Sequence, residues 1–261
     1  MKTLFTRHSS VFKRLLRWFS TFVGSMLLAM ACPASAADTI RALIITGIDY
    51  PGHHWWETTP VLQEELAKDP RIHVDVFKDP YQLGAKNLTG YDVLILHFMN
   101  WEKPEPDAKA KENLRSFVNR GGGLVGIHFA CGAFSNWNEY PNLLGRVWDG
   151  TNTHDPRGVF RVDVVNASHP ITVGLDRSFE TDDELYICFT GAKPVETLAT
   201  ARSKITKRDH PMAFVHRYGN GRVFFTPLGH DTKALRASGT AELLRRAVAW
   251  SAGREPTAPT R

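Results

Sequence analysis

Asp92-Val-Leu-Ile-Leu-His97 and Gly123-Leu-Val-Gly-Ile-His128 are short apolar runs, each closed by a histidine. Runs of this length between turn-forming residues mark strands covered on both faces, as in a parallel sheet. Ile40-Arg-Ala-Leu-Ile-Ile-Thr46 has the same character, and residues 71–77 alternate as a further strand. Helical patterns lie between them. Thr59 before Pro60 reads as an N-cap and first-turn pair, with Val61, Leu62 and Leu66 facing inward. Asp107 caps a second helix, in which Ala110, Leu114, Phe117 and Val118 keep the helical period. The resulting β-α-β-β-α-β order predicts an α/β fold, a mostly parallel sheet with helices on both faces.

Outward from this core the pattern changes. Residues 159–165, 184–189, 195–199 and 212–216 read as strands joined by turns, and Gly219-Asn-Gly221 as a hairpin turn into Arg222-Val-Phe-Phe-Thr226. Thr240 opens a last helix through Leu243, Leu244, Ala247, Val248 and Trp250, stopped by Gly253. Two prolines make residues 254–261 a loose tail, and one domain over residues 37–253 is the economical reading. Gly121-Gly-Gly123 follows a helix and opens a strand, the reverse of a phosphate loop, so no nucleotide cofactor is expected.

The 261 residues are 43% hydrophobic and 23% charged, which suits a sizeable core and excludes a disordered chain. Lys2, Arg7, Lys13, Arg14 and Arg17 lie in residues 1–36, which hold no acid, and this leaves 27 bases against 27 acids. The basic charge therefore belongs to the leader, and no nucleic-acid partner is expected. Phe22-Val-Gly-Ser-Met-Leu-Leu-Ala-Met-Ala31 followed by Ala34-Ser-Ala36 reads as a signal peptide over residues 1–36. Export to the periplasm or beyond follows, with no membrane attachment after cleavage. An uncleaved anchor would need a longer apolar centre, about 20 residues. Acylation of Cys32 would need a better motif than Ala29-Met-Ala31 before it. In an oxidising compartment Cys131 and Cys188 either pair or remain two buried thiols, and with no Cys-x-x-Cys a thiolate zinc site is excluded.

In an open α/β sheet, ligands bind at the carboxyl ends of the strands. His97 and His128 close inner strands, His53 and His54 follow the first strand, His230 follows the last, and His154-Asp155 joins the two halves. One histidine at a strand end caps structure; several on one edge suit proton transfer or metal ligation. Trp55, Trp56, Trp101, Trp137 and Trp148 fall in loops near the same edge, either to stack on sugar rings or to fill local cores. In Thr181-Asp-Asp-Glu-Leu-Tyr186, alternation places Asp182 and Glu184 on one face and Asp183 on the other. These acids are either solvated charge or the source of a base or metal ligand.

Gly123-Leu-Val-Gly-Ile-His-Phe-Ala130, His154-Asp155, His169-Pro-Ile171, Asp182-Asp-Glu-Leu-Tyr186 and the run from Gly219 to Asp231 resemble, in order and spacing, the trehalose-utilisation (ThuA-like) family. The resemblance extends from about Ile40 to Gly253. It implies a flavodoxin-like, class I glutamine amidotransferase-like three-layer sandwich, with extra β-hairpins in the second half. It also implies a link to trehalose or to 3-keto glycosides. The amidotransferases carry a nucleophilic cysteine at the position matching His128, whereas Cys131 here comes three residues later and no Gly-x-Ser-x-Gly exists. Glutaminase and serine-hydrolase chemistry are therefore not expected, and His230, which resembles the superfamily's late histidine, has no thiol to activate.

The expected centre is catalytic His128, His230 and Glu184, with His154 or His53 nearby. His128, His154 and His230 are the candidate ligands of a divalent zinc or manganese ion. His53, His54, Trp55, Trp56, Trp101, Trp137, His154 and Asp155 are the candidate contacts to a small carbohydrate. The chemistry expected is isomerisation or cleavage of an oxidised sugar. A non-catalytic sugar-binding module of the same fold is the alternative, and histidines that only cap strand ends are a third reading.

Overall fold

The computed structural model describes residues 38–151 and 154–258. The leader at residues 1–36, Cys32 within it, and residues 259–261 of the tail lie outside the described residues. Among the described residues no helix is long and apolar enough to cross a membrane.

The first half runs β1 (Ile40–Ile45), α1 (Trp55–Leu66), β2 (Ile72–Phe77), β3 (Val93–Leu96), α2 (Ala108–Asn119) and β4 (Gly123–Ile127). A short helix, α3 (Tyr140–Leu144), leads to β5 (Val147–Trp148), β6 (Gly158–Val164), β7 (Ser178–Asp183), β8 (Phe189–Thr190) and β9 (Glu196–Arg202). The chain then forms β10 (Asp209–Tyr218), β11 (Gly221–Thr226), α4 (Thr232–Arg236) and α5 (Ser238–Ser251). Among the described residues nine strands make one sheet in the order β2-β1-β3-β4-β11-β10-β9-β6-β7, and β5 pairs with β8 in a separate ribbon. Every pairing from β2 to β11 is parallel and every pairing from β11 to β7 is antiparallel. The sheet is thus mixed. Its parallel half has the flavodoxin-like layering, and its hairpins extend it on one side.

The alternation of a strand sorts the core into two layers. Ile40, Ala42 and Ile44 of β1 pack with Val61, Leu62 and Leu66 of α1 and with Leu244 and Val248 of α5. Leu43 and Ile45 face the other way, against Ala110, Leu114 and Val118 of α2. All of these side chains are buried, and they fix the carboxyl ends of β1, β3, β4 and β11 along one edge.

Three element boundaries differ from the sequence expectation, each for a local reason. Helix α1 opens at Trp55 and takes Pro60 inside it. Thr59 is therefore not a cap; its buried hydroxyl lies 3.3 Å from His97 Nδ1. Helix α5 opens at Ser238, two residues before buried Thr240. Residues 184–188, expected as most of a strand, are not one: β7 lies before them and ends at Asp183, whose carboxylate accepts the Glu184 N–H at 2.8 Å as the chain leaves the sheet, and β8 begins only at Phe189.

The tail is less loose than its prolines imply. Arg246, 2% exposed on α5, donates to the carbonyls of Ile171 (2.6 Å), Pro170 (2.8 Å) and Val173 (2.9 Å), and also to that of Thr257. Arg71 donates to the Glu255 carbonyl at 3.0 Å. Replacing the guanidinium with a methionine side chain leaves those carbonyls unpaired, so Arg246→Met is expected to lower stability by about 1–3 kcal/mol. Urea unfolding followed by circular dichroism measures it, and an unchanged midpoint would contradict this role.

Candidate functional site

Each functional side chain is delivered by a turn at the carboxyl edge. Tyr50-Pro51-Gly52-His53 closes a tight turn with His53 N–H on the Tyr50 carbonyl at 2.8 Å, and Gly52 supplies the positive φ (81°) that such a turn needs. His128 follows the last residue of β4 with φ at 51°, a left-handed conformation uncommon outside glycine. Its ring is fixed by Nδ1–H to the Pro227 carbonyl at 2.6 Å. Past β11, Gly229 (φ 108°) turns the chain so that His230 points back to the same place.

A buried carboxylate ties these segments together. Asp183 is fully buried and accepts N–H groups from Gly229 (2.7 Å), Glu184 (2.8 Å) and His230 (3.2 Å). Burial raises its pKa, outweighing the nearby His128 and the three N–H donors.

The resulting cluster is tight. His53 Nε2 lies 3.0 Å from His128 Nε2, and His230 Nδ1 lies 3.3 Å from the same atom. Glu184 Oε2 is 3.2 Å from His230 Nδ1 and 3.4 Å from His128 Nε2. Tyr186 O–H reaches His128 Nε2 at 3.1 Å. The Nδ1 atoms of His53 and His128 both face carbonyls, Pro51 at 3.2 Å and Pro227 at 2.6 Å, and so carry the protons. Their Nε2 lone pairs therefore meet head on. One ligand atom from each of His53, His128, His230 and Glu184 fits within 4.8 Å of the others, a donor set that can hold a cation. A first-row divalent ion with bonds of about 2.0–2.2 Å suits such spacing and this mixture of nitrogen and oxygen.

The electrostatics follow from burial and neighbours. Burial, then the adjacent His128 and His230, depress His53 to a pKa of about 3. Burial opposes ionisation of Glu184, but bonds to and charge from His128 and His230 prevail and hold it well below the usual carboxylate range. His230 shows the converse: burial disfavours its cation, yet Glu184 and Asp183 raise its pKa. Burial keeps the Tyr186 phenol protonated, far above its ordinary pKa.

A cavity of about 250 Å³ opens beside the cluster. Tyr50, Met99, Phe129, Trp148 and Tyr186 give it apolar and aromatic walls, while His53, His154, Glu184 and His230 give it a polar end. Among the described residues no lysine or arginine lines it, so it suits an uncharged ligand.

Comparison with known proteins decides the family. The trehalose-utilisation family matches residues 41–251. The chain belongs to that family. A ThuA-like protein from Parabacteroides merdae has 24% identity and a TM-score of 0.76, over 84% of this chain and 92% of its own. One from Bacteroides uniformis has 21% identity and a TM-score of 0.68, over 87% and 98%. A β-galactosidase from Bacillus circulans sp. alkalophilus shares the fold at TM-score 0.57 and 14% identity, over 84% of this chain but 32% of its own. No curated protein matches the chain. At these identities the structural likenesses carry the fold alone.

In this ThuA-like chain the structure brings together His53, His128, His230 and Glu184, with His154 just outside. His154 Nε2 lies 3.5 Å from Glu184 Oε1, and its Nδ1 donates to the Asp155 carbonyl at 2.6 Å. Asp155 faces away from the cavity; its carboxylate accepts from Ser203 Oγ at 2.6 Å and the Lys204 N–H at 2.5 Å, which anchors the loop that carries His154. His54, Trp55 and Trp56 leave the site because α1 begins directly after His54 and its winding spreads them outward. Trp56 is 53% exposed beside the His54 ring, and Trp55 lies under Lys78 Nζ. Trp101 supports Trp148, ring centroids 4.3 Å apart, and Trp137 stacks on Tyr140 rather than lining the main cavity. His97 is fully buried behind the cluster, with Nδ1 near Thr59 and the ring against Phe129. Cys131 and Cys188 are both free and buried; Cys131 lines the cavity, but burial pushes its thiol pKa well up. The roles of Asp183 as a clamp and Tyr186 as a donor leave no mark in the sequence beyond their place in the run Thr181 to Tyr186.

Two outcomes follow. Asp183→Asn turns an amide N–H toward N–H donors and is expected to lower stability by about 1–3 kcal/mol in denaturant titration. Full burial holds His97 at a pKa of about 3, against an ordinary value of 6.5. Its neutral ring contributes stability above pH 6.5 that is lost as pH falls toward 3, at roughly 1.4 kcal/mol per pH unit in that window. His97→Gln is expected to flatten this part of the stability profile measured by thermal unfolding; an unchanged slope would remove His97 as its cause.

Proposed function

We propose that this protein acts on a small uncharged carbohydrate, of trehalose type or a 3-keto glycoside, and isomerises or cleaves it at the histidine–glutamate centre. A divalent ion, zinc or manganese, is the cofactor of this reading. The observation that carries it is the 3.0 Å approach of His53 Nε2 to His128 Nε2 with both Nδ1 protons turned to carbonyls. Two lone pairs at that distance repel unless a cation or a proton lies between them. With His230 Nδ1 and the Glu184 carboxylate at the same point, the donor set is that of a divalent-metal centre. His53 and Glu184 then stand with His128 and His230 as ligands, and His154 stands in the next layer.

When bound, such an ion supplies Lewis acidity toward a carbonyl or hydroxyl oxygen of the sugar. The protein's own groups do the rest. His154 has Nδ1–H held by the Asp155 carbonyl and Nε2 at the cavity wall, which places it to take a proton from the ligand and return it. Tyr186 keeps its proton and offers an O–H to an oxygen at the polar end. Trp148, Phe129 and Met99 present apolar faces to a ring and exclude water around it. The absence of lysine and arginine from the described lining favours hydroxyls and carbonyls over phosphates. We further propose that residues 1–36 export the chain, so that it works in the periplasm or outside the cell.

Metal content by plasma mass spectrometry tests this reading. Purified protein loaded with zinc or manganese is expected to retain about one ion per chain after dialysis. His53→Ala and His128→Ala, checked for folding by circular dichroism, are expected to bind at least about tenfold more weakly. If the wild-type protein retains neither ion after loading, the metal-assisted reading is wrong.

A further inference from the structure

We infer that Met99 is a specificity-determining residue. Its thioether, laid on Gly132, closes the histidine cavity off from a neighbouring cavity and so limits the site to a single sugar ring. That the ring is a sugar rests on the function proposed above; the closure rests on packing alone.

A cavity of about 120 Å³ adjoins the histidine cavity, and Cys131, Gly132 and Trp148 line both, so these three residues form the boundary. Gly132 brings no side chain to it, and Met99 takes that space. A Cβ on Gly132 would lie 2.5 Å from Met99 Cε and 2.9 Å from Met99 Sδ. Met99 is 6% exposed, and it lines the histidine cavity but not the smaller one. The main chain around it is pinned. Asn100, next to Met99, accepts the Phe134 N–H at 2.9 Å, and the Trp101 ring lies 4.3 Å from that of Trp148. The plug is therefore an unbranched side chain on a fixed base, and its flexibility lets it follow the shape of the gap.

Volume gives the closure its meaning. An apolar cavity of about 150 Å³ accepts benzene, and a hexose has about twice benzene's heavy atoms. The histidine cavity, about 250 Å³, is thus of the order of one hexose ring. A second ring has no room inside it and stands in solvent at the mouth. The smaller cavity is too small for a ring by itself. At a water molecule's share of about 30 Å³ for each heavy atom, the three end atoms of Met99 occupy roughly 90 Å³. Truncating Met99 therefore opens the boundary and brings the added space to roughly one further ring.

Titration calorimetry on the full protein tests this with glucose and trehalose. Wild type is expected to bind the two within about threefold of each other, and Met99→Ala to bind trehalose about tenfold tighter than glucose. Gly132→Ala drives the end of Met99 into the histidine cavity and is expected to weaken both sugars about tenfold; adding Met99→Ala relieves the clash and restores glucose binding. Metal content and circular dichroism are expected to stay unchanged in every variant. The inference is overturned if wild type already prefers trehalose about tenfold, if Met99→Ala leaves the two sugars equal, or if Met99→Ala fails to relieve Gly132→Ala. If wild type binds neither sugar, the sugar reading falls and a crystal structure of Met99→Ala decides the closure: one continuous cavity upholds it, and two separate cavities overturn it.

Discussion

A single buried carboxylate organises the site. Among the described residues Asp183 has no cation partner in hydrogen-bonding reach, and it is satisfied by three main-chain N–H groups, from Glu184, Gly229 and His230. That arrangement ends β7, starts the turn that presents Glu184, and locks the loop after β11. It adds main-chain anchors to the side-chain contacts, Glu184 Oε2 to His230 Nδ1 and Lys233 Nζ to Asp182 Oδ2, that also link the two segments. A carboxylate in this place is costly to bury, and its three short contacts offset that cost only if the two segments meet in one geometry. The demand for satisfaction is what makes the geometry specific.

The other half of the cluster rests on the backbone as well. His128 occupies a left-handed conformation at the sharp end of β4, and the Pro227 carbonyl holds its ring. Strain of this kind, on the order of 1–3 kcal/mol, persists where surrounding structure over-determines it. Here the parallel pairing of β4 with β11 does so, because it brings Ile127 opposite Thr226 and thus His128 beside Pro227. Fold and site are joined at that pairing.

Much of this was legible in the chain. The apolar runs ended by His97 and His128 defined inner strands, and the carboxyl-edge rule placed on one edge the histidines that the structure brings together, His53, His128 and His230, along with His54, His97 and His154, which stay outside the cluster. What could not be read was which member of a crowded loop faces inward. His53, His54, Trp55 and Trp56 are adjacent, yet only His53 enters the cluster, since the Pro51-Gly52 turn aims it and the helix that follows carries the others outward. In the acidic run, Glu184 could be singled out from its neighbours, but the burial of Asp183 as the clamp left no local signal, because the strand lies at Ser178–Asp183 and not over residues 184–189. Asp155 had the right neighbourhood but a structural partner in Ser203. Side-chain direction at strand ends is decided by tertiary hydrogen bonds, which leave no local pattern.

The position of β7 carries one more consequence. It is the outermost strand of the antiparallel side, four places from β11, and on a flat sheet it would lie roughly 19 Å away at about 4.8 Å per step. Its last residue nevertheless bonds the loop after β11. The sheet must therefore curl so that its free margin closes over its own middle. An edge strand is ordinarily the first part of a sheet to fray. In this molecule the margin supplies a site residue, so fraying and emptying of the site are one equilibrium. An occupant that binds both Glu184 and His230 would act as a clasp between β7 and the loop after β11, and would slow amide exchange along that edge strand.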